Sequence, residues 1–329
     1  MRRREFITLL GGSAAWPLAA RAQHADRMRR VSVLLGLAQQ DPEAIDRVKA
    51  FRSGMRDLGW IEGRNVQIDY RFAGNNPESI NKNVTELVQL APDVIVANTT
   101  RIMAALQPAT SVIPIVFVIV NDPVNQGFVS NLAHPGANIT GFSAIEADIV
   151  GKWISLLSDV KPNLSRVALM FNPDSVPYYD VYVRSFKALP QQTSVEVEAV
   201  HVRSAADVEL AVAKLGREPD SGLIAASDTF ILAVRGVILK AANQHRVPVI
   251  SPYRQFVIEG SLMSYGPDTA DIFRRTASYV DRVLKGEPPG NLPVQAPVKF
   301  ELVVSLKTAK ALGLSLRESF LQLADEVIE

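Results

Sequence analysis

No cysteine occurs in the 329 residues. That single absence excludes disulfides, thiolate nucleophiles, zinc ribbons, iron–sulfur clusters and a lipid-bearing cysteine anchor. Histidine is scarce too. His24, His134, His201 and His245 stand far apart, and nothing in their spacing builds a metal site or a general base. Neither sign of charge is in excess: 35 basic against 34 acidic residues give a formal net charge of +1. Such a balance leaves no electrostatic footprint for nucleic acid. No G-x-G-x-x-G follows a strand, and G-x-x-x-x-G-K-[ST], H-E-x-x-H and G-x-S-x-G are all missing. Carboxylates are plentiful, but none are paired in a way that singles out acid–base work. The expectation is a protein that binds, with no catalytic residue, metal or cofactor.

What is present begins with an export signal. Residues 1–22 read MRRREFITLLGGSAAWPLAARA: a basic start, a short apolar stretch broken by Gly11 and Gly12, and an Ala20-Arg21-Ala22 end. This is the pattern of a secretory signal peptide cleaved after Ala22, too short and interrupted to span a bilayer. Arg3-Arg4-Glu5-Phe6-Ile7 matches a twin-arginine signal, with a general secretory signal as the alternative. The expected location is the periplasm. The remaining chain is long enough for two domains of about 100–200 residues.

Hydrophobic periodicity then alternates between strand and helix. Val31–Leu35 is an apolar run ended by Gly36. Asp41-Pro42 supplies an N-cap and a first-turn proline for a helix whose apolar positions fall at Ile45, Val48, Phe51, Met55 and Leu58. Gly59 stops it. Val66, Ile68, Tyr70 and Phe72 alternate as a half-buried strand, and Asn76-Pro77 opens a second helix. Asp93–Ala97 and Pro114–Val120 are continuous apolar runs, suited to parallel strands covered on both faces. The order then repeats. Arg30–Gly36 is echoed by Arg166–Asn172, Asp93–Thr100 by Gly222–Thr229, and Ile113–Val116 by Val247–Ile250. The predicted fold is α/β: two similar doubly wound parallel-sheet lobes joined by a hinge. Residues 31–141 plus about 265–298 are assigned to the first lobe, 142–264 plus about 299–329 to the second. The crossings are expected at the glycine-bearing stretch Asn138–Ser143, at Leu262–Gly266, and after the prolines of Pro288–Pro297.

In open α/β sheets ligands bind beyond the carboxyl ends of the strands, so two facing sheets make a cleft. The candidate ligand-binding residues are therefore the strand ends: Leu37, Asn98, Thr99, Thr100, Asn121 and Asp122 in the first lobe, with Phe142 at the crossing. In the second lobe they are Asn172, Ser227, Asp228, Thr229 and Tyr253, with Tyr178 and Tyr265 as walls. Hydroxyls at a helix start suit a carboxylate. Asp228, at the position equivalent to Thr99, suits an ammonium group, and together they describe an α-amino acid. The same positions equally suit plain helix caps, Asp122 before Pro123 above all.

At these residues the chain resembles the ABC-type solute-binding proteins related to the tryptophan-binding component, which have a type I periplasmic-binding fold. The resemblance runs over essentially the whole mature chain. It is carried by Phe51–Gly54 and Leu58–Asn65, Pro114–Phe117 with Asp122–Val124, Asn138–Phe142, Gly151–Trp153, Phe171–Asp174, Leu262–Gly266, Leu292–Gln295 and Lys307–Leu314. It implies three chain crossings, a small-molecule solute between the lobes, a monomer, and membrane permease and ATPase partners. A periplasmic sensor subunit and an exported α/β enzyme acting on a small polar substrate are the alternatives.

Overall fold

The computed structural model describes residues 27–144, 149–176, 179, 183 and 194–329. The expected signal peptide, residues 1–22, and the candidate Tyr178 lie outside the described residues. Two sheets organise the chain. The first contains β1 (Arg29–Leu35), β2 (Val66–Phe72), β3 (Val94–Asn98), β4 (Ile115–Val120) and β5 (Ile139–Ser143), all parallel, in the order β2-β1-β3-β4-β5. The second contains β6 (Arg166–Phe171), β7 (Glu196–His201), β8 (Ser221–Ala225), β9 (Val249–Ser251), β10 (Met263–Pro267), β11 (Phe300–Ser305) and β12 (Glu326–Ile328). Its order is β7-β6-β8-β9-β10-β11-β12, parallel except between β10 and β11. The first five strands of each lobe thus follow one order, 2-1-3-4-5. The sequence echoes fall on equivalent strands: β1 with β6, β3 with β8, β4 with β9.

The burial of the strands explains their composition. β3 and β4 are buried at every position, because helices cover both faces. Along β4, Val116 and Val118 face the cluster built with Phe51, Met55, Phe273 and Ala277, while Ile115 and Phe117 face the one built with Ile80, Leu87 and Met103. Helix Pro42–Asp57 is started by Asp41, whose carboxylate accepts the Glu43 N–H, and by Pro42. It packs along helix Thr269–Leu284, which belongs to a late segment of the chain. That neighbour turns the buried face toward Ala44, Arg47, Phe51, Gly54 and Met55, whereas Ile45 and Leu58 of the expected apolar face are exposed.

The crossings sit slightly later than the sequence suggested. β5 stays paired with β4 through Ser143, so Phe142 and Ser143 remain in the first sheet. Tyr265, Gly266 and Pro267 pair with β11, so they belong to the second sheet and the chain returns to the first lobe only with helix Thr269–Leu284. A side chain at Gly141 would meet the Phe117 carbonyl at 2.1 Å, and one at Gly266 the Pro252 carbonyl at 2.1 Å. Both glycines therefore serve close backbone packing in equivalent strands, rather than the departure of a strand from its sheet. The third crossing runs beside β5, where the Gln295 N–H donates to the Gly141 carbonyl and the Ser143 N–H to the Gln295 carbonyl. No helix among the described residues is long and apolar enough to cross a membrane.

Candidate ligand-binding cleft

The carboxyl ends of the two sheets face each other across a cavity. Its wall on the first lobe is Arg47, Thr99, Thr100, Arg101, Ile119 and Asn121. On the second it is Ser175, Val176, Ser227, Asp228, Thr229, Leu232 and Tyr253. The enclosed space is about 30 Å³, room for little more than water. The lobes are closed on each other. Arg235 Nη1 lies 2.8 Å from Asp41 Oδ2 of the opposite lobe, Thr229 Oγ1 donates to Asn75 Oδ1 at 3.0 Å, and Arg101 Nη2 donates to the Asp174 carbonyl at 3.4 Å.

Backbone strain concentrates on and beside the first-lobe wall. Thr99 has φ of 90°, Ile119 57° and Asp122 46°. Positive φ is a true outlier for the β-branched Thr99 and Ile119 and costs on the order of 1–3 kcal/mol each. Ile119 falls at a register shift between β4 and β5, so the bulge turns its side chain into the cavity. The strand ends are cross-tied: Thr100 Oγ1 accepts the Asn121 N–H at 3.0 Å, and Asn98 Nδ2 donates to the Val118 carbonyl at 3.0 Å.

Two arginines line that wall. Arg47 is only 2% exposed. Its Nε and Nη2 donate to Glu43 Oε1 at 3.2 and 3.1 Å, its Nη1 reaches Asn98 Oδ1 at 3.4 Å, and its guanidinium lies between the rings of Phe273 and, across the cleft, Tyr253. Glu43 Oε1 also accepts the Thr269 hydroxyl. Arg101 Nη1 donates to Asn75 Oδ1 at 2.8 Å and to the Asn75 carbonyl at 3.3 Å.

Opposite them stands Asp228, 2% exposed. It caps the helix Thr229–Ala233 through the Phe230 N–H at 2.9 Å. Its carboxylate also accepts the Asn172 N–H and the Ser175 hydroxyl, both at 2.8 Å. Burial pushes its pKa up from the ordinary carboxylate value, against the pull of those three donors and the charge of Arg101. Burial likewise raises the Tyr253 phenol. The Tyr253 hydroxyl lies 3.1 Å from Ser227 Oγ, and the Ser227 N–H donates to the Tyr179 hydroxyl at 3.0 Å.

Of the strand-end candidates, Thr99, Thr100, Asn121, Ser227, Asp228, Thr229 and Tyr253 line the cavity together. Leu37, Asn98, Asp122, Phe142, Asn172 and Tyr265 do not. Leu37 is a core residue, and the Asn98 side chain is spent on Val118 and Arg47. Asp122 accepts the Asn125 amide within its own turn. Phe142 packs on Tyr279 with ring centroids 4.8 Å apart, Asn172 caps its own loop through the Asp174 N–H, and Tyr265 stacks on Phe300. Sequence reading passed over Arg47, Arg101, Ile119, Ser175, Val176 and Leu232. Arg101 alone gave a signal, as a basic residue in the first turn of a helix, where the helix dipole disfavours a cation.

Comparison with known proteins agrees with this architecture. The family described as ABC transporter substrate binding protein matches residues 38–328. A curated relative, the tyrosine-binding protein of Clostridioides difficile (strain R20291), is 26% identical over 282 residues, covering 85% of this chain and 81% of that protein. The crystal structure of a conserved domain protein from Vibrio cholerae is 28% identical with a TM-score of 0.83, covering 92% of this chain and all of the other. An ABC domain from Streptococcus pneumoniae in complex with L-Trp shares the fold, with a TM-score of 0.84 at 23% identity over 92% of this chain and 100% of that one. The fold is that of a type I periplasmic binding protein, and the chain belongs to the ABC transporter substrate-binding protein family.

Proposed function

We propose that the protein is the exported receptor of an ABC importer and holds a zwitterionic amino acid, with an apolar or aromatic side chain, between its lobes. The observation that carries this reading is the charge balance of the cleft. Arg47 is matched by Glu43, and Arg101 faces Asp228 from the other lobe. A site with both signs and no net charge suits a ligand that also has both signs and no net charge. A sugar needs neither. The relative named as a tyrosine-binding protein supports the same class. In this reading the ligand's carboxylate meets Thr99, Thr100 and the arginines, its ammonium meets the Asp228 side, and Tyr253 and Leu232 contribute to the apolar wall. The signal at residues 1–22 exports the chain, and a permease and an ATPase receive the ligand.

The enclosed space is too small for an amino acid, so the lobes must part to admit one and close around it. A ligand bound that way stabilises the fold by linkage: at about 100 times Kd the gain is roughly 2.7 kcal/mol. Each kcal/mol moves the midpoint by about 2–4 °C in a domain of 150–250 residues. The mature protein, unfolded and refolded to strip any retained ligand, should therefore melt several degrees higher with a hydrophobic or aromatic amino acid. Sugars that shift the midpoint while no amino acid or carboxylate does would refute the ligand class and leave the receptor reading standing.

A further inference from the structure

We propose that Arg101 is a specificity-determining residue that sets the net charge of the ligand, so that the cleft takes a zwitterion and rejects the corresponding amine lacking a carboxylate. The inference rests on the amino-acid reading of the cleft. Three features of Arg101 carry it. It is the second residue of helix Thr100–Leu106, where a cation works against the helix dipole, so local structure gives no reason for it. All its hydrogen-bond acceptors are neutral: the Asn75 side chain, the Asn75 carbonyl and the Asp174 carbonyl. Arg47, the other arginine of the cavity wall, and Arg235, which bridges the lobes, are each bonded directly to carboxylates, Glu43 for one and Asp41 with Glu259 for the other. Among the described residues Arg101 forms no ion pair, and the carboxylate that shares the cavity with it is Asp228 in the wall opposite.

That arrangement has a consequence for anything entering between them. Asp228 already accepts three hydrogen bonds and has acceptor capacity for about one more. An ammonium placed there brings a second positive charge beside Arg101, in a closed cleft where little water screens it. An α-amino acid carries its own remedy, a carboxylate two bonds away that Arg101 can hold. An amine without the carboxylate does not. The discrimination between the two therefore falls on the guanidinium.

The test compares L-tyrosine, tyramine and 3-(4-hydroxyphenyl)propionate by calorimetry on the wild-type mature protein and on Arg101→Gln and Arg101→Lys. Wild type should bind L-tyrosine at least about 30-fold tighter than tyramine, the lower bound for losing one partner of a buried charge pair. Arg101→Gln should narrow that ratio by about tenfold or more, losing L-tyrosine and gaining tyramine. Arg101→Lys should restore most of it, because it restores the charge. The propionate should bind wild type more tightly than Arg101→Gln. A ratio unchanged within about threefold in a normally melting Arg101→Gln protein overturns the inference alone, as does a lysine variant that behaves like glutamine. Wild type that binds no amino acid overturns the inference together with the reading beneath it.

Discussion

Replacing Asp41 by asparagine should weaken ligand binding by about 30-fold while leaving the first lobe intact. Asp41 does two jobs with two oxygens. Oδ1 accepts the Glu43 N–H and caps helix Pro42–Asp57, while Oδ2 accepts from Arg235 of the opposite lobe at 2.8 Å. Asparagine caps as well as aspartate, so the helix keeps its start. The interlobe charge pair is lost. Its side chains are 12% and 10% exposed, in the range where removing one partner costs about 2–5 kcal/mol. The lower end applies, because Arg235 keeps Glu259 at 2.9 and 3.0 Å and the Leu232 carbonyl at 2.7 Å and is not left bare. A loss of about 2 kcal/mol is about 30-fold at 1.4 kcal/mol per tenfold. The whole loss appears in affinity only if binding must carry the lobes from open to closed, since the pair exists in the closed form alone. Calorimetry gives the affinity, thermal melting of the ligand-free protein reports the cap, and small-angle scattering reports closure. An affinity within about threefold of wild type, with scattering that still contracts on ligand addition, would show that the Asp41–Arg235 pair does not hold the lobes closed.

Three further outcomes follow from the same geometry. Thr99→Gly should leave stability unchanged or raise it by up to about 1 kcal/mol in denaturant titrations, because glycine accepts φ of 90° freely and caps nearly as well; affinity should fall with the hydroxyl. A loss above about 1 kcal/mol would mean that the backbone there is not strained. Gly36→Ala places a methyl 2.9 Å from Thr99 Cγ2 of its own lobe but only in ordinary contact, 3.5 Å, with Thr229 Cγ2 of the other, so it should lower the ligand-free melting temperature by displacing Thr99; an unchanged melting temperature would show that the Thr99 side chain gives way freely. Asp268, at the second crossing, is partly desolvated, which favours the neutral acid, but the Lys299 ammonium and the Asp271 N–H outweigh this and hold its pKa below the ordinary 3.8. A depressed acid stabilises the fold above its unfolded value and loses that contribution as pH falls through the folded one. Melting temperature against pH should accordingly drop more gently on the acid side in Asp268→Asn, and an identical acid limb would show that the crossing is not pinned by this charge.

The strands were legible because they carry their information locally. An apolar run such as Val116–Val120 is buried on both faces whichever neighbours it finds, and the echo of Asp93–Thr100 in Gly222–Thr229 falls on strands of equal rank in both sheets. The cleft was legible only where it is made of strand ends. Arg47 was hidden because its helix face is defined by helix Thr269–Leu284, more than half the chain away, so periodicity selected the exposed Ile45 and Leu58 and passed over a buried arginine. Arg101 was hidden by one residue, since attention to hydroxyls at the helix start ended at Thr100. Of the neighbouring tyrosines, Tyr178 and Tyr179 offer the same local signal, and the Tyr179 hydroxyl accepts the Ser227 N–H. The strand limits at Ser143 and Pro267 are set by pairing with Val120 and Phe300 on neighbouring strands, which no local pattern encodes.

Duplication of one topology also explains why the cleft has a direction. With strand order 2-1-3-4-5 in both lobes, a ligand between the sheets meets the same structural position twice, once at the end of β3 and once at the end of β8. Had those positions kept the same residue, the site would be pseudo-symmetric and a small ligand could bind in either orientation. They differ. Thr99 is a hydroxyl on a strained backbone with Arg101 two residues on, whereas Asp228 is a buried carboxylate on an extended backbone, held by donors of its own lobe. The potential therefore runs from positive on one wall to negative on the other over the width of one small molecule. In the proposed reading, that gradient gives an amino acid one orientation. It also predicts that moving the carboxylate to the other wall, Arg101→Asp with Asp228→Asn, would lose less amino-acid binding than the product of the single losses, because a zwitterion in the reversed orientation would then find an acceptor for its ammonium on the first wall and an amide donor for its carboxylate on the second. Strict additivity in that double-mutant cycle would show that the two walls act independently and that the orientation is set elsewhere.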